Sequence, residues 1–373
     1  MKEDTKELIA ALSSGPVQKY IEDHKNDDIR KIILKNKVIL GIPTAHLLDQ
    51  ISTRRKAQNK LPLYYNTPGI IYPRQEYLEQ SSSEQTARFK AEIISSFAGH
   101  SVFTGADLTG GYGVDTFFIS RVVTKIHYIE PDNALLDLAA HSHSLLGAWN
   151  IEYHATTAEE FLKTPGPVDF IFVDPSRRTE AKRKVLHLED SQPDVVQLAS
   201  QIFLKTKLLI IKASPLFDIQ AGLSKIPFVT EVYVVSVNNE CKELLFVSEE
   251  GKQITPQIKA VNIQDNEERQ NFSFTLFEEQ SQQITFGEPL EYLYEPNASI
   301  LKAGAFRTIA TRFDLQKIHP STHLYTAENA LDSFPGRAFR IEALVRPDPE
   351  QLKKYFPYQD NDSDELSNEI SKG

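Results

Sequence analysis

Three short segments contain the side chains best suited to chemistry. Gly110, Gly111 and Gly113 follow an apolar run, and glycines at a turn let the backbone approach a ligand closely and direct its amides toward it. Glu130 ends the next apolar run, where a carboxylate can accept two hydrogen bonds from a ribose diol. Asp174 follows a further apolar run, where a carboxylate can orient or deprotonate a reacting group. Together these residues predict a nucleoside-binding site beside a reacting group.

Two of these segments also have simpler interpretations. The glycines can form a purely structural strand-to-helix turn, and Glu130 can be a solvated acid before a helix cap at Asp132. The glycine spacing also departs from the G-x-G-x-x-G pattern of nicotinamide enzymes, because Thr116 stands at the last position. The pattern therefore does not favour NAD as the ligand.

The elements that would position these residues alternate between residues 102 and 249. Alternating strand and helix candidates are typical of a parallel sheet covered by helices on both faces. Because parallel strands end at the same edge, the glycine turn, Glu130 and Asp174 are predicted to share one rim. The predicted strands are Val102–Leu108, Lys125–Glu130, Ile151–Ala155, Val168–Val173 and Lys207–Ala213, and the predicted helices are Val114–Val123, Asn133–Leu146, Ala158–Lys163, Asp194–Leu204 and Asp218–Lys225.

A hairpin is predicted to end this sheet. Only residues 238–242 separate the runs Glu231–Val237 and Glu243–Val247, and so short a connection cannot contain a crossover helix. The two strands must therefore be antiparallel neighbours. Five parallel strands followed by an antiparallel hairpin differ from the parallel sheet of dinucleotide-binding folds.

Four regions are predicted along the chain. Residues 1–95 form an N-terminal helical region, residues 96–250 form the α/β sheet domain, and residues 251–357 form a small α+β domain. Residues 358–373 form an acidic tail that is predicted to be disordered. The strands expected in the third region are Gln270–Phe277 and Gln283–Phe286.

Composition restricts the classes of protein that remain. The 373 residues include 41 Lys and Arg against 51 Asp and Glu, a net charge of −10, which argues against a non-specific polyanion binder. A single cysteine, Cys241, excludes an internal disulfide, and no apolar run approaches the roughly 20 residues of a membrane span. A cytoplasmic protein is therefore expected. Cys241 lies in the predicted hairpin and is not expected to be a nucleophile, and the spacing of His141 and His143 predicts no metal site.

The motifs resemble those of a known class of enzymes. Asp107-Leu-Thr-Gly-Gly-Tyr-Gly113, Glu130 and Val173-Asp-Pro-Ser-Arg-Arg178 are similar to motifs one, two and four of class I S-adenosylmethionine-dependent methyltransferases. More narrowly, the chain resembles the bacterial methyltransferase family that carries a ferredoxin-like, THUMP-like C-terminal domain, and this implies RNA methylation. The segments that carry the narrower resemblance are Glu79-Gln-Ser-Ser-Ser-Glu84, Glu240-Cys-Lys-Glu243, Lys302-Ala-Gly-Ala-Phe306 and Phe334-Pro-Gly-Arg-Ala-Phe339.

The resemblance implies roles for individual residues. Asp107 would lie near the ammonium group of S-adenosyl-L-methionine, Glu130 would bind its ribose hydroxyls, and Thr157 would contact its adenine. Asp174 and Pro175 would form the catalytic motif. Ser83 would help to close the cofactor pocket, although Ser82 or Ser83 can instead cap the helix that runs to Phe97. The full set of implied cofactor-binding residues is Asp107, Thr109, Gly111, Gly113, Glu130, Thr157, Gln80 and Ser83.

The residues after Asp174 suggest the acceptor. Enzymes that methylate amino groups usually have a second proline and an aromatic residue where this chain has Ser176 and Arg177. Arg177 and Arg178 are therefore predicted to bind a phosphate or to stack on a base of RNA, unless the loop is simply a solvated basic surface. Further candidate RNA contacts are Arg54, Arg55, Lys56, Lys60, Lys302, Arg307, Arg312, Lys317, Arg337, Arg340 and Arg346.

Two other functions stay open at this stage. A methyltransferase that acts on a small molecule or a protein would have the same cofactor motifs. An RNA-binding module with a degenerate methyltransferase core would explain Thr157 and Ser176, which depart from the usual motif residues.

Overall fold

A computed structural model describes residues 5–28, 37–99, 102–177 and 191–345, together with the single residues 348 and 355. Arg178, Arg346 and the predicted acidic tail lie outside the described residues. The chain divides into two compact units. The first is Met1–Gln280 with Ala298–Ala305, and the second is Ser281–Asn297 with Phe306–Gly373.

The first unit begins with a mostly helical stretch. Its longest helices carry apolar residues on one face, and these residues form two buried clusters, one with the following sheet and one among the helices themselves. The elements are α1 (Thr5–Leu12), α2 (Gly15–Asp23), β1 (Val38–Ile39), β2 (Ile42–Pro43), α3 (Thr44–Lys60), α4 (Pro62–Asn66), α5 (Gln75–Gln80) and α6 (Glu84–Phe97).

The central part of the first unit confirms the predicted alternation of strands and helices. Most boundaries agree with the sequence prediction to within two residues. The elements are β3 (Thr104–Asp107), α7 (Val114–Ser120), β4 (Lys125–Ile129), α8 (Asn133–Leu145), β5 (Ile151–His154), α9 (Ala158–Leu162), β6 (Phe170–Val173), β7 (Ser176–Arg177), β8 (Ser191–Gln192), α10 (Val195–Lys205), β9 (Leu208–Ala213), α11 (Ile219–Lys225), β10 (Val229–Val237) and β11 (Glu240–Glu249).

The predicted sheet and its terminal hairpin are confirmed. The five strands β5, β4, β3, β6 and β9 are parallel neighbours in that order, and β11 pairs antiparallel with both β9 and β10. Asn238 and Asn239 form the hairpin turn with φ values of 49° and 64°. Two positive φ values match the right-handed twist of the strands, and asparagine tolerates them.

The sheet extends beyond the predicted boundary at residue 250. The strand β12 (Gln257–Ile263) pairs parallel with β10, and β13 (Arg269–Thr275) pairs antiparallel with β12. These two strands bring the sheet to nine. β12 satisfies the backbone groups on the outer side of β10, so the sheet includes residues 257–275.

The second unit contains a four-stranded antiparallel sheet. The strands lie in the order β15 (Gln316–Lys317), β16 (Tyr325–Ala327), β14 (Tyr292–Pro296) and β17 (Gly336–Arg340). The rings of Tyr294 and Tyr325 are fully buried in this sheet. Gln283–Phe286 is not a strand, because Phe286 makes only a single bridge, to Lys317. The remaining elements of the chain are α12 (Leu276–Ser281), α13 (Ala298–Ala303) and α14 (Phe306–Arg312). Among the described residues, no helix combines the length and apolarity needed to cross a membrane.

Candidate active site

The glycine turn connects β3 to α7 at the rim of the first unit's sheet. Gly111 and Gly113 have φ values of 57° and 81°, which residues with a Cβ rarely adopt. Gly110 needs the absence of a side chain for another reason, since a Cβ there would lie 2.3 Å from the ring of Tyr128. The turn is closed by a hydrogen bond of 2.8 Å from Gly113 N to Gly110 O. The fold of the turn therefore requires glycine at these positions, whether or not the backbone also approaches a ligand there.

Asp107, at the end of β3, is buried under this turn. Its Oδ1 accepts a hydrogen bond from Thr109 N (2.9 Å) and its Oδ2 accepts one from Thr116 Oγ1 (2.5 Å). Burial raises the pKa of Asp107 from 3.8 to about 7, even though these two hydrogen bonds lower it. Asp107 therefore supports the turn from within, and its carboxylate already has partners in the protein.

Asp107 should make folding stability depend on pH. The folded state holds the proton of this carboxyl group up to about pH 7, whereas the unfolded chain loses it near pH 4. Stability is therefore fully present below pH 4 and falls as the pH rises to 7, by about 4 kcal/mol from this group. The variant Asp107→Asn can keep both hydrogen bonds. Its amide oxygen accepts from Thr109 N, and its NH₂ group donates to Thr116 Oγ1, since a hydroxyl can accept as well as donate.

Urea unfolding of both proteins from pH 4 to pH 7 measures this difference. The free energy of unfolding of the wild type should fall relative to that of Asp107→Asn across this range. A constant difference between the two proteins would contradict the buried, proton-binding carboxyl group.

Glu130 follows β4 and faces the glycine turn. Its Oε2 accepts a hydrogen bond from Gly111 N and its Oε1 accepts one from Asp132 N, each at 2.9 Å. Asp132 is the N-cap of α8. A carboxylate oxygen has two lone pairs, so each oxygen of Glu130 can still accept a hydroxyl donor. The backbone thus fixes Glu130 in an orientation suited to a pair of hydroxyl groups.

These residues line a cavity of about 410 Å³, called here the first cavity. Thr157 lies in its wall as the N-cap of α9, with its Oγ1 accepting a hydrogen bond from Glu160 N. The structure brings most of the sequence-predicted residues to this cavity. Asp107, Thr109, Gly111, Gly113, Glu130, Thr157, Gln80 and Asp174 line it, whereas Ser83 and Pro175 are not among its described lining residues.

Asp174 follows β6 and is held from two sides. Its backbone N–H donates to Thr109 Oγ1 (2.7 Å), and its carboxylate contacts the ammonium group of Lys212. Burial lowers the pKa of Lys212, but the carboxylates of Asp174, Asp115 and Glu243 outweigh this and raise it above its usual value. Lys212 therefore stays charged and fixes the position of the Asp174 carboxylate.

Lys212 was not among the residues predicted from the sequence, although the sequence contains a signal for it. The run Leu208-Leu-Ile-Ile-Lys-Ala213 contains one charged residue in an otherwise apolar strand. A lone lysine near the carboxyl end of a buried strand needs an acidic partner, and that end lies on the rim where Asp174 was predicted.

A second cavity, of about 920 Å³, adjoins the first. Both cavities include Gln80, Ser81 and Ser82 in their walls. Ser83 lines the second cavity and caps α6, with its Oγ accepting a hydrogen bond from Thr86 N at 3.3 Å. Lys212 also lines the second cavity, so the Asp174–Lys212 pair lies where the two cavities meet. The lysines of the second cavity are Lys56, Lys60, Lys212 and Lys242.

Lys60 shows the electrostatic character of the second cavity. Burial, together with the charges of Lys212 and Lys242, lowers its pKa to about 8. Its ammonium donates to the carbonyls of Leu78 (2.7 Å) and Glu79 (2.8 Å). The charges of Lys212 and Lys242 are secondary causes of this lowering, and the carboxylate of Glu79, which also lines the cavity, opposes it.

A buried ionic network shares residues with the walls of both cavities. Lys90, on the apolar face of α6, donates to both carboxylate oxygens of Glu243 (2.7 and 2.9 Å) and to Ser82 Oγ (3.0 Å). It also lies 3.2 Å from Asp115 Oδ1, and Ser82 Oγ donates to Asp115 Oδ2 at 2.7 Å. This network links α6, the terminal hairpin and the first turn of α7.

Cys241 lies in β11, and burial raises the pKa of its thiol to about 11. A thiol with this pKa remains protonated at neutral pH and is a poor nucleophile.

The comparisons with known proteins agree with this architecture. A crystal structure described as a "putative methyltransferase from Porphyromonas gingivalis W83" matches with a TM-score of 0.81 and 31% identity, and the match covers 96% of this chain and 88% of that chain. A family model described as a ferredoxin-like domain matches residues 292–335. No curated protein matches the chain.

Two further structures match only part of the chain. One is described as an rRNA methylase from Streptococcus thermophilus (TM-score 0.33, 16% identity), and the other as a "putative methyltransferase" from Streptococcus mutans in complex with SAH (TM-score 0.32, 14% identity). Each match covers 43% of this chain, and they cover 94% and 95% of those chains, respectively. With such low TM-scores, these two matches support no inference about this protein.

The mostly parallel sheet with its antiparallel hairpin, which carries the glycine turn, Glu130 and Asp174 at one rim, is a methyltransferase-like fold. More specifically, the chain belongs to the family of the Porphyromonas gingivalis protein, which it matches over nearly its full length.

Proposed function

We propose that this protein transfers a methyl group from S-adenosyl-L-methionine to a nucleotide of RNA. The observation that supports this most is the pair of adjoining cavities that meet at Asp174 and Lys212. A transferase of this kind must hold a donor and an acceptor so that they face each other across a short gap, and two joined cavities provide that arrangement.

The donor set of the first cavity fits the cofactor. Glu130 can accept hydrogen bonds from two ribose hydroxyls, and the hydroxyl of Thr157 can bind an adenine edge. Gly111 and Gly113 bring the backbone close to the methionine part. Asp107 lines this cavity, and its bonds to Thr109 and Thr116 keep the turn in shape. When bound, the cofactor supplies an electrophilic methyl group.

Asp174 would orient the acceptor. Its carboxylate is fixed by Lys212 at the junction of the cavities, so it can accept a hydrogen bond from the attacking group and align it with the methyl group. The contact with Lys212 engages one carboxylate oxygen of Asp174 and holds the group in a single orientation. Orientation is therefore the role that the pairing favours over proton removal. Pro175 follows Asp174 in the proposed catalytic motif.

The second cavity supports an anionic acceptor. Its four described lysines, among them the candidate RNA contacts Lys56 and Lys60, outnumber its acidic residues, which are Glu79, Glu243 and Asp265. Phosphate groups supply much of the affinity for RNA. Arg177 and Arg178 remain proposed phosphate contacts. The backbone of Arg177 belongs to β7, whereas Arg178 lies outside the described residues.

One experiment tests the proposal. The purified protein is incubated with S-adenosylmethionine carrying a labelled methyl group and with total RNA from cells that lack the gene, and the RNA is then digested to nucleosides. We expect the label in a single modified nucleoside. Incorporation into protein or small molecules alone would contradict the RNA acceptor, and cofactor binding without transfer to any acceptor would indicate a degenerate core.

The lysines of the second cavity should contribute to RNA affinity. Lys242→Met removes one proposed phosphate contact, so the slope of log K against log salt concentration should decrease by about 1. Lys252→Met is a matched control, because Lys242 and Lys252 each form an ion pair with a nearby glutamate of β11, Glu240 and Glu249. Lys252 is not among the described residues of the second cavity.

Fluorescence anisotropy with a labelled RNA measures both slopes. Equal slopes for Lys242→Met, Lys252→Met and the wild type would exclude Lys242 as a phosphate contact.

A further inference from the structure

A cluster of two histidines and one glutamate lies on the sheet of the first unit, outside both cavities. The parallel pairing of β4 and β5 places His127 opposite Glu152 and Ile129 opposite His154. Residues two apart on a strand share one face of a sheet, so Glu152 and His154 lie on the same face of β5. The structure brings His127 to the same cluster.

The three side chains direct potential ligand atoms at one point. His127 Nδ1 lies 2.9 Å from His154 Nε2, and these atoms lie 3.6 and 3.7 Å from the two carboxylate oxygens of Glu152. A tetrahedral zinc ion with ligands at 2.0–2.1 Å has ligand atoms roughly 3.3 Å apart. The observed separations lie on both sides of that value, so small side-chain rotations would accommodate the ion.

The two imidazoles pack against a shared aromatic ring. The ring of Phe161 lies against both of them, with centroid distances of 5.5 and 5.3 Å. A metal ion binds only the unprotonated nitrogen of histidine, and an ordinary imidazole is mostly unprotonated above pH 7.

Lys125 is the competitor for this position. Its ammonium contacts Glu152 Oε2, and its side chain is 46% exposed. An exposed ion pair contributes only about 0–1 kcal/mol, and a lysine side chain can turn into water. A divalent cation with three protein ligands would therefore displace Lys125 from Glu152.

We propose that His127, Glu152 and His154 form a binding site for a divalent transition-metal ion of the zinc class, with water as the fourth ligand. The site would tie the edge strand β5 to β4. His127 and His154 each lie three residues before a residue of the first cavity, Glu130 and Thr157 respectively. The site is independent of the proposed methyl transfer. No metal site was expected from the sequence, and the two histidines of this cluster are 27 residues apart in it.

Titration calorimetry with the full-length protein tests this site. The protein is treated with a chelator, transferred to metal-free buffer at pH 7.5 and titrated with ZnCl₂. We expect one zinc ion per chain, and affinity at least about tenfold weaker in His127→Ala, His154→Ala and Glu152→Gln. His24→Ala, which removes a histidine outside the cluster, should bind zinc like the wild type.

Two further measurements make the result decisive. Cobalt binding to the wild type should give the visible absorption band of a tetrahedral site, and this band should be absent from His127→Ala. Near-UV circular dichroism of each variant shows whether it is folded. Folded variants that bind zinc as tightly as the wild type would overturn the proposal, and so would a wild type that binds none.

Discussion

Replacing Asp174 with alanine should lower the rate of methyl transfer by about 10²-fold or more while leaving cofactor binding intact. The carboxylate lies where the two cavities meet, and its backbone is held by Thr109. Without it, the acceptor loses the hydrogen bond that aligns it with the methyl group. The Gly111–Glu130 contact and Thr157 are unaffected, so the cofactor keeps its own contacts.

Asp174→Asn separates orientation from proton removal. Asparagine keeps an acceptor oxygen in nearly the same place but cannot take up a proton at neutral pH. Because Lys212 fixes the position of the Asp174 carboxylate and an asparagine oxygen can occupy the same place, we expect Asp174→Asn to retain substantially more activity than Asp174→Ala. Equal, severe losses in both variants would show instead that Asp174 removes a proton.

The loss of the carboxylate also leaves the ammonium of Lys212 without this partner, which can destabilise the protein. The double variant Asp174→Ala/Lys212→Met removes that charge as well. Transfer of labelled methyl groups gives the rates, titration calorimetry with S-adenosylhomocysteine gives the cofactor affinity, and thermal unfolding checks the fold. If Asp174→Ala weakens cofactor binding as strongly as it slows transfer, Asp174 belongs to the cofactor site and does not orient the acceptor.

The local parts of this architecture could be predicted from the sequence. Each parallel strand is a short apolar run with a distinct end, and the helices begin at capping residues such as Asp132, Thr157 and Asp218. The hairpin followed from a connection too short for a helix. The position of the glycine turn relative to Glu130 followed from one rule, that parallel strands end at a common edge.

The non-local parts could not be predicted in the same way. The sequence pattern of β12 and β13 does not say which sheet they join, because pairing at a sheet edge depends on which backbone groups are free there. The lone lysine of β9 indicates an acidic partner, but that this partner is Asp174, 38 positions away, depends on β6 and β9 being neighbours in the sheet. These contacts depend on strand order and register, which no local pattern contains.

Replacing Lys90 should strongly reduce the stability of the protein. Its side chain is completely buried, and Glu243 is 3% exposed. Lys90→Met should lower the free energy of unfolding by about 3–5 kcal/mol, because it leaves Glu243 buried without its main cationic partner. Lys19→Met, at an exposed position of α2, should change the free energy of unfolding by less than about 0.5 kcal/mol. Urea unfolding measures both values.

The double variant Lys90→Met/Glu243→Leu distinguishes an unpaired charge from a lost hydrogen-bond network. Replacing both partners of a buried ion pair with apolar residues is often neutral, so the double variant should recover much of the lost stability. Full recovery would show that Ser82 and Asp115 keep their positions without Lys90, through their own hydrogen bond of 2.7 Å. No recovery would mean that Lys90 also holds Asp115 and Ser82 in place. Because both line the first cavity, cofactor affinity should then fall together with stability, and calorimetry on the same variants would show it.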